Sequence, residues 1–151
     1  MGIEKDIQQD KFKNAYQKAT VNLIFTVGWM RDKVKYLFDE EGITSQQFNI
    51  LRILRGSYPK PISTLQIRER MLEKMSDTSR IVDRLIAKCL VKKITCKSDR
   101  RLVDVVITDK GKKLLENLDS KQVEMDQILA KISEEEANIL SNLLDKIRDG
   151  L

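Results

Sequence analysis

Apolar side chains recur every three or four residues through most of this chain, and two runs of strand character interrupt the rhythm after residue 90. From Tyr16 the apolar positions fall at Ala19, Leu23, Val27, Met30, Val34 and Leu37, with Ile24, Phe25 and Phe38 widening the seam. That spacing predicts a long amphipathic helix in a first segment from about Ile3 to Phe38. Gly28 beside Trp29 is its weak point, where a bend would fall. Glu41-Gly42 ends it. Thr44, with Gln47 three residues on, is a capping box opening a second helix. Phe48, Leu51 and Leu54 form its stripe, Ile50 and Ile53 broaden it, and Gly56 closes it. The loop SYPKP follows. Ser63 and Gln66 form another capping box for a third helix, with Leu65, Ile67, Met71 and Leu72 as core candidates.

A fourth helix begins near Ser76 or Asp77, either of which can cap its first turn. Ile81, Val82, Leu85 and Ile86 are its buried stripe, while Thr78, Ser79, Arg80, Asp83, Arg84 and Lys88 project elsewhere. Cys89-Leu90 ends it. Val91–Lys97 and Leu102–Ile107 read as the strands of an antiparallel hairpin around a basic turn, Ser98–Arg101. Thr108 caps the next helix, and a helical period runs through Leu114, Leu115, Leu118, Met125, Leu129 and Ile132. Ser133 to Glu136 is a third capping box, and ANILSNLLDKI forms the last helix. The expected class is mainly α with a small β-wing.

Composition narrows what such a fold can do. The chain has 151 residues, 41% hydrophobic and 34% charged, enough for one compact unit with a real core. No apolar run approaches the roughly 20 residues that span a bilayer. The first residues, MGIEKDIQQDKFK, lack the apolar stretch of a signal peptide, and Asp6 stands where a myristoylation motif needs Ser or Thr. The expectation is a cytoplasmic protein with no membrane partner. Its net charge of +5 is uneven. Residues 1–40 hold seven Lys/Arg against six Asp/Glu, residues 41–111 fifteen against eight, and residues 112–151 six against nine. The surplus therefore sits around the fourth helix and hairpin, as phosphate binding requires.

The chain has no histidine and only two cysteines, Cys89 and Cys96. That excludes a Ser-His-Asp triad, a histidine general base and the common zinc sites. The six glycines are scattered and form no phosphate loop. No enzyme, metal site or cofactor is expected. Redox sensing by Cys89 or Cys96 stays open, as no sequence feature marks either thiol as reactive.

A helix followed by a basic hairpin is the layout of a winged helix-turn-helix, and the major groove admits a helix. The DNA-binding candidates are Ser76, Thr78, Ser79, Arg80 and Arg84 on the helix and Lys97, Asp99, Arg100 and Arg101 at the hairpin tip. Ser79, Arg80 and Arg84 are placed for base edges, since Arg suits bidentate contact with guanine. They could instead touch phosphate only, or pair with Asp83 or Glu73, and Thr78 could be packing. Arg101 could enter the minor groove, oriented by Asp99, or the two could be a plain turn pair. Lys92, Lys93, Lys97 and Arg100 are phosphate neighbours or merely solvated.

Four segments in order resemble the MarR family of bacterial transcriptional regulators. TSQQFNILRIL resembles the family's second helix, SRIVDRLIAKCLV its recognition helix, SDRRLVDVVIT its wing with Asp99 and Arg101 as the Asp-x-Arg signature, and ITDKG the entry to its fifth helix. The resemblance implies a homodimer with dimerisation helices at about 3–39 and 109–149 and a DNA-binding region at about 44–108. It implies a double-stranded, pseudo-palindromic operator and a repressor relieved by a small aromatic or phenolic effector. Phe25, Trp29, Tyr36 and Phe48 could line its pocket, or be core. Two positions depart from the pattern. Cys89 stands where the family has a glycine suited to a left-handed C-cap, and Asp77 where Thr or Ser is common. The alternative is a winged-helix protein-interaction module without specific DNA binding.

Overall fold

The computed structural model describes residues 2–95 and 103–149, and the chain divides into two compact units, residues 1–36 and 37–151. The first unit holds a short helix α1 (Ile3–Asp6) and most of α2 (Ala15–Glu40). The single segment expected from Ile3 is thus broken. Gln8 takes a φ of 54°, and the side-chain oxygen of Asn14 accepts from the Gln17 amide (2.9 Å), so helix restarts at Ala15. The charged stretch before Tyr16 has no apolar period to carry helix across the gap. α2 then runs through Gly28 without interruption. Leu23, Ile24, Val27 and Trp29 on it are exposed.

The second unit begins with the buried end of α2, Leu37 and Phe38. α3 (Ser45–Ser57) opens on the expected capping box: Thr44 Oγ1 accepts from the Gln47 amide and Gln47 Oε1 accepts from the Thr44 amide, both 3.1 Å. Ile50, Leu51, Ile53 and Leu54 are buried on it, while Phe48 is half-buried with its ring centroid 5.0 Å from that of Phe38. α4 (Thr64–Arg70) opens on the second box, Ser63 with Gln66. Ile67 and Met71 are buried as expected, but Leu65 and Leu72 are 61% and 85% exposed. α4 has only two turns, so one side of it meets the core and Leu65 lies off that side.

α5 (Thr78–Ala87) is capped by Asp77, whose Oδ1 accepts from the Arg80 amide at 3.2 Å. Ile81, Val82 and Leu85 are buried. Its exit is a Schellman turn: the Leu90 amide donates to the Leu85 carbonyl (3.0 Å) and the Cys89 amide to the Ile86 carbonyl (2.8 Å). Cys89 takes a φ of 59° there, the left-handed conformation that the glycine-like position demands.

β2 (Val91–Thr95) and β3 (Val103–Ile107) pair antiparallel, Val91 opposite Ile107 and Thr95 opposite Val103. A third strand, β1 (Ile62–Ser63), pairs with the other edge of β3 and had no signature beyond the proline loop before it. The fold is mostly helical with this small sheet, a winged helix.

α6 (Asp109–Asp119), α7 (Gln122–Asp126) and α8 (Glu134–Arg148) complete the chain. The period from Leu114 to Ile132 does not make one helix. The Ser120 hydroxyl donates to the Asn117 carbonyl (2.6 Å) and competes with helix propagation. From residue 128 to 132 the bonds join amides to carbonyls three residues back, which gives turns that keep a near-helical rhythm. Bidentate contact between Arg55 and Asp119 (2.6 and 3.1 Å) ties α3 to α6. No helix among the described residues is long and apolar enough to cross a membrane.

Candidate nucleic-acid interface

α5 presents one side to the core and the other to solvent. Thr78, Ile81, Val82 and Leu85 face inward, and Ser79, Arg80, Asp83 and Arg84 are exposed. The exposed set repeats at the helical spacing, so it forms one row along a helix about 15 Å long at 1.5 Å per residue. Thr78 is only 5% exposed and lies inside the protein rather than on that row. As a surface contact for DNA it is corrected to a packing residue. Ser76 is half-buried, and neither its hydroxyl nor that of Thr78 has a hydrogen-bond partner among the described residues.

The charges around α5 divide into held and free. Lys93 Nζ on β2 lies 2.8 Å from Asp83 Oδ1, so this lysine braces the strand against the helix rather than standing free for phosphate. The same pair takes Asp83 away from the arginines. Arg80 Nε lies 3.9 Å from Asp77 Oδ2, at the limit of an ion pair. Lys88 Nζ donates to the Gly42 carbonyl (2.5 Å) and Gln47 Oε1 (3.1 Å), and Lys110 Nζ donates to the Lys88 carbonyl (3.0 Å). These two lysines fasten the end of α5 to the α2–α3 turn and to α6. No partner among the described residues engages the Arg84 guanidinium, and Arg84 opens onto a groove of about 520 Å³ with Asp39, Ile43, Thr44, Gln47 and Ala87.

A second hollow of about 350 Å³ lies between the beginnings of α4 and α5. It brings together Ser76, Thr78 and Ser79 from the expected set, with Asp77, and adds Thr64, Leu65 and Arg68 from α4. Arg80 and Arg84 lie outside it. Lys97, Asp99, Arg100 and Arg101, at the tip of the hairpin, fall outside the described residues. Among the described residues no group of three or more His, Cys, Asp or Glu side chains could hold a metal ion.

The α5–β2–β3 arrangement has known counterparts. The family model described as the MarR family matches residues 43–103. The HTH-type transcriptional regulator PecS of Dickeya dadantii is 31% identical over 122 residues, covering 80% of this chain and 72% of PecS. A crystal structure of a MarR transcription factor from Planctomyces limnophilus is 31% identical with a TM-score of 0.69, covering 89% of this chain and 98% of that one. The chain belongs to the MarR family. Another relative, the HTH-type transcriptional regulator YpoP of Bacillus subtilis, is 28% identical over 95 residues, 63% of this chain. The match spans 65% of YpoP, just under two thirds of its length.

As a MarR-family protein the chain is a DNA-binding transcriptional regulator. Two features of the family pattern acquire a physical reason here. The glycine of ITDKG, Gly111, is packed so closely that an added Cβ would collide with the Leu90 carbonyl oxygen and lie 2.8 Å from Ile107 Cγ1. Thr108 caps the same helix turn: its Oγ1 accepts from the Gly111 amide (3.1 Å) and its hydroxyl donates to the Cys89 carbonyl (2.8 Å). Arg68 and Thr64, which line this second hollow, were not among the expected residues. Their spacing of four residues on α4 was the available signal, because it places both on one side of a helix.

Proposed function

We propose that this protein is a cytoplasmic homodimeric repressor that binds a pseudo-palindromic duplex operator through α5 and the hairpin. Residues 44–108 form its DNA-binding region, and the helices at about 3–39 and 109–149 form its dimerisation region. The observation that carries this reading is the exposed row of Ser79, Arg80 and Arg84 on a helix clamped by Lys93–Asp83 on one side and Lys88–Gln47 on the other. Base reading needs side chains held in fixed register, and each good bidentate arginine contact discriminates by about 1–3 kcal/mol. Ser76 takes part from the entry to α5, and Lys97, Asp99, Arg100 and Arg101 engage the flanking backbone and minor groove. The role is binding, with no turnover.

Apolar stripes left exposed on the terminal helices support the dimer. Ile139, Leu140, Leu143 and Ile147 are 41–63% exposed along one side of α8, and Leu23, Val27 and Trp29 are exposed on α2. Stripes of this kind mark association surfaces. Two α5 helices then occupy successive major grooves about 34 Å apart. A small aromatic or phenolic effector relieves repression by binding one spacing of the lobes better than the other. Phe25, Trp29 and Tyr36 on α2 are exposed aromatic side chains available to it. Phe48 is packed on Phe38 and is assigned to the core.

Selection of bound sequences from a random duplex pool tests this function. The expected result is an enriched inverted repeat, bound by two protomers and competed by itself far better than by random DNA. Equal competition by both would overturn the reading in favour of a protein-interaction module.

A further inference from the structure

We propose that the hollow between the beginnings of α4 and α5 seats one DNA backbone phosphate, with Arg68 supplying its charge and Thr64 and Ser79 its hydroxyl donors. This rests on the DNA-binding reading and deepens it, because it assigns a positioning role to Arg68 and Thr64, which lie outside the base-reading row, and gives Ser79, at the start of that row, to the backbone.

Four observations converge on the hollow. Arg68 lines it, is exposed, and has no partner among the described residues, unlike Arg55 or Arg70, which are tied to Asp119 and Ser57. The hydroxyl residues Thr64 and Ser79 come from two different helices. Thr78, more than nine-tenths buried, lines the same hollow with a hydroxyl that has no partner among the described residues, and the buried hydroxyl of Ser76, which also lines it, has none among them either. A buried unpaired hydroxyl is uncommon enough to ask for a ligand. Finally, α5 is a ten-residue helix whose positive end opens here.

One group opposes an anion. Asp77 also lines the hollow. Its Oδ1 is occupied by the Arg80 amide, and its Oδ2 faces Arg80 Nε at 3.9 Å, so its charge is partly answered from α5 itself. The Arg68 guanidinium supplies the charge that remains to attract phosphate. A phosphate held against Ser79 fixes α5 along its own axis. Arg80 and Arg84, the next residues along the exposed row, then meet a defined base step. Phosphate contacts of this kind set register and carry no sequence information themselves.

The test is a salt titration of duplex binding by fluorescence anisotropy. It uses the full chain and its Arg68→Ala, Arg68→Lys and Arg80→Ala variants, on a selected operator and on random duplex. Each phosphate contact contributes a log–log slope of about 0.9, so Arg68→Ala should flatten the slope by about 1.8 for a dimer. It should weaken operator and random duplex in the same ratio. Arg68→Lys should keep the slope, and Arg80→Ala should instead lower the operator-to-random ratio. If wild type binds with a steep slope and Arg68→Ala leaves it unchanged, the hollow holds no phosphate. If Arg68→Ala changes the ratio instead, Arg68 reads bases and the proposal falls. Wild type that binds no duplex at all would overturn the DNA reading together with this one.

Discussion

Replacing Gly111 by alanine should destabilise the protein, although the same change in an open helix stabilises. Gly111 is the third residue of α6, and its amide is held by Thr108 Oγ1 at 3.1 Å. A methyl group there would run into the Leu90 carbonyl oxygen, which already accepts from the Thr108 amide at 3.1 Å. It would also lie 2.8 Å from Ile107 Cγ1, well inside the 3.5–4.0 Å at which carbon atoms attract. Leu90 and Ile107 are each 2% exposed, so neither has room to retreat. Overpacking costs about 1–3 kcal/mol, and a backbone obstacle in a buried site places this case near the upper figure. The helix preference of alanine offsets about 1 kcal/mol. The net loss is about 2 kcal/mol, which for a chain of this size lowers Tm by roughly 4–8 °C. Thermal melts followed by circular dichroism, at equal protomer concentration, measure it. Gly28→Ala is the control: nothing lies within 4 Å of its added Cβ in mid-α2, so Tm should rise. A Gly111→Ala protein as stable as wild type would refute the packing argument.

Three further outcomes are expected. Cys89→Gly should raise stability by about 1 kcal/mol in urea unfolding, because a left-handed φ of 59° costs an L-residue about 1–2 kcal/mol and the exposed thiol gives up little packing; an unchanged midpoint would contradict that strain. Thr78→Val should stabilise the free protein by about 1 kcal/mol, since it removes a buried hydroxyl without a partner while keeping the branched shape. A loss of stability would mean the hydroxyl is satisfied. The Arg55 guanidinium hydrogen-bonded to Asp119 holds its carboxyl below the ordinary aspartate range, so this pair stabilises above about pH 4 and its contribution fades as pH falls through the lowered value. Asp119 is half exposed, which keeps the effect under about 1 kcal/mol. Urea midpoints of wild type and Asp119→Asn should differ near neutrality and converge in acid.

Local chemistry made much of this fold legible. Thr44 with Gln47, Ser63 with Gln66 and Ser133 with Glu136 each announce a helix start by a reciprocal pair of bonds, and all three helices begin there. The left-handed turn at Cys89 was readable because a position that favours glycine does so for its φ. Signals that needed tertiary context were not readable. β1 is two residues long, and only its pairing with β3 makes it a strand. The breaks on either side of α7 leave the apolar period intact, so periodicity alone ran through them. Leu65 and Leu72 fit the helical pattern yet are exposed, because Leu65 lies off the core side of a two-turn α4 and Leu72 falls beyond its end. At the interface, the row of Ser79, Arg80 and Arg84 followed from helical spacing. The hollow around Arg68 depends on how two helices meet, which no single segment encodes.

Thr108 joins three parts of the chain through one side chain, bonded at once to the Cys89 carbonyl, where α5 ends, and to the Gly111 amide, where α6 begins, directly after β3. With Lys93 bracing β2 on Asp83, α5 is fastened to the described strands of the hairpin at two points, like parts of one casting. Turning α5 against β2 and β3 would break both ties. A signal that loosens this regulator's grip must therefore carry the whole casting with it, or else pull the Thr108 rivet.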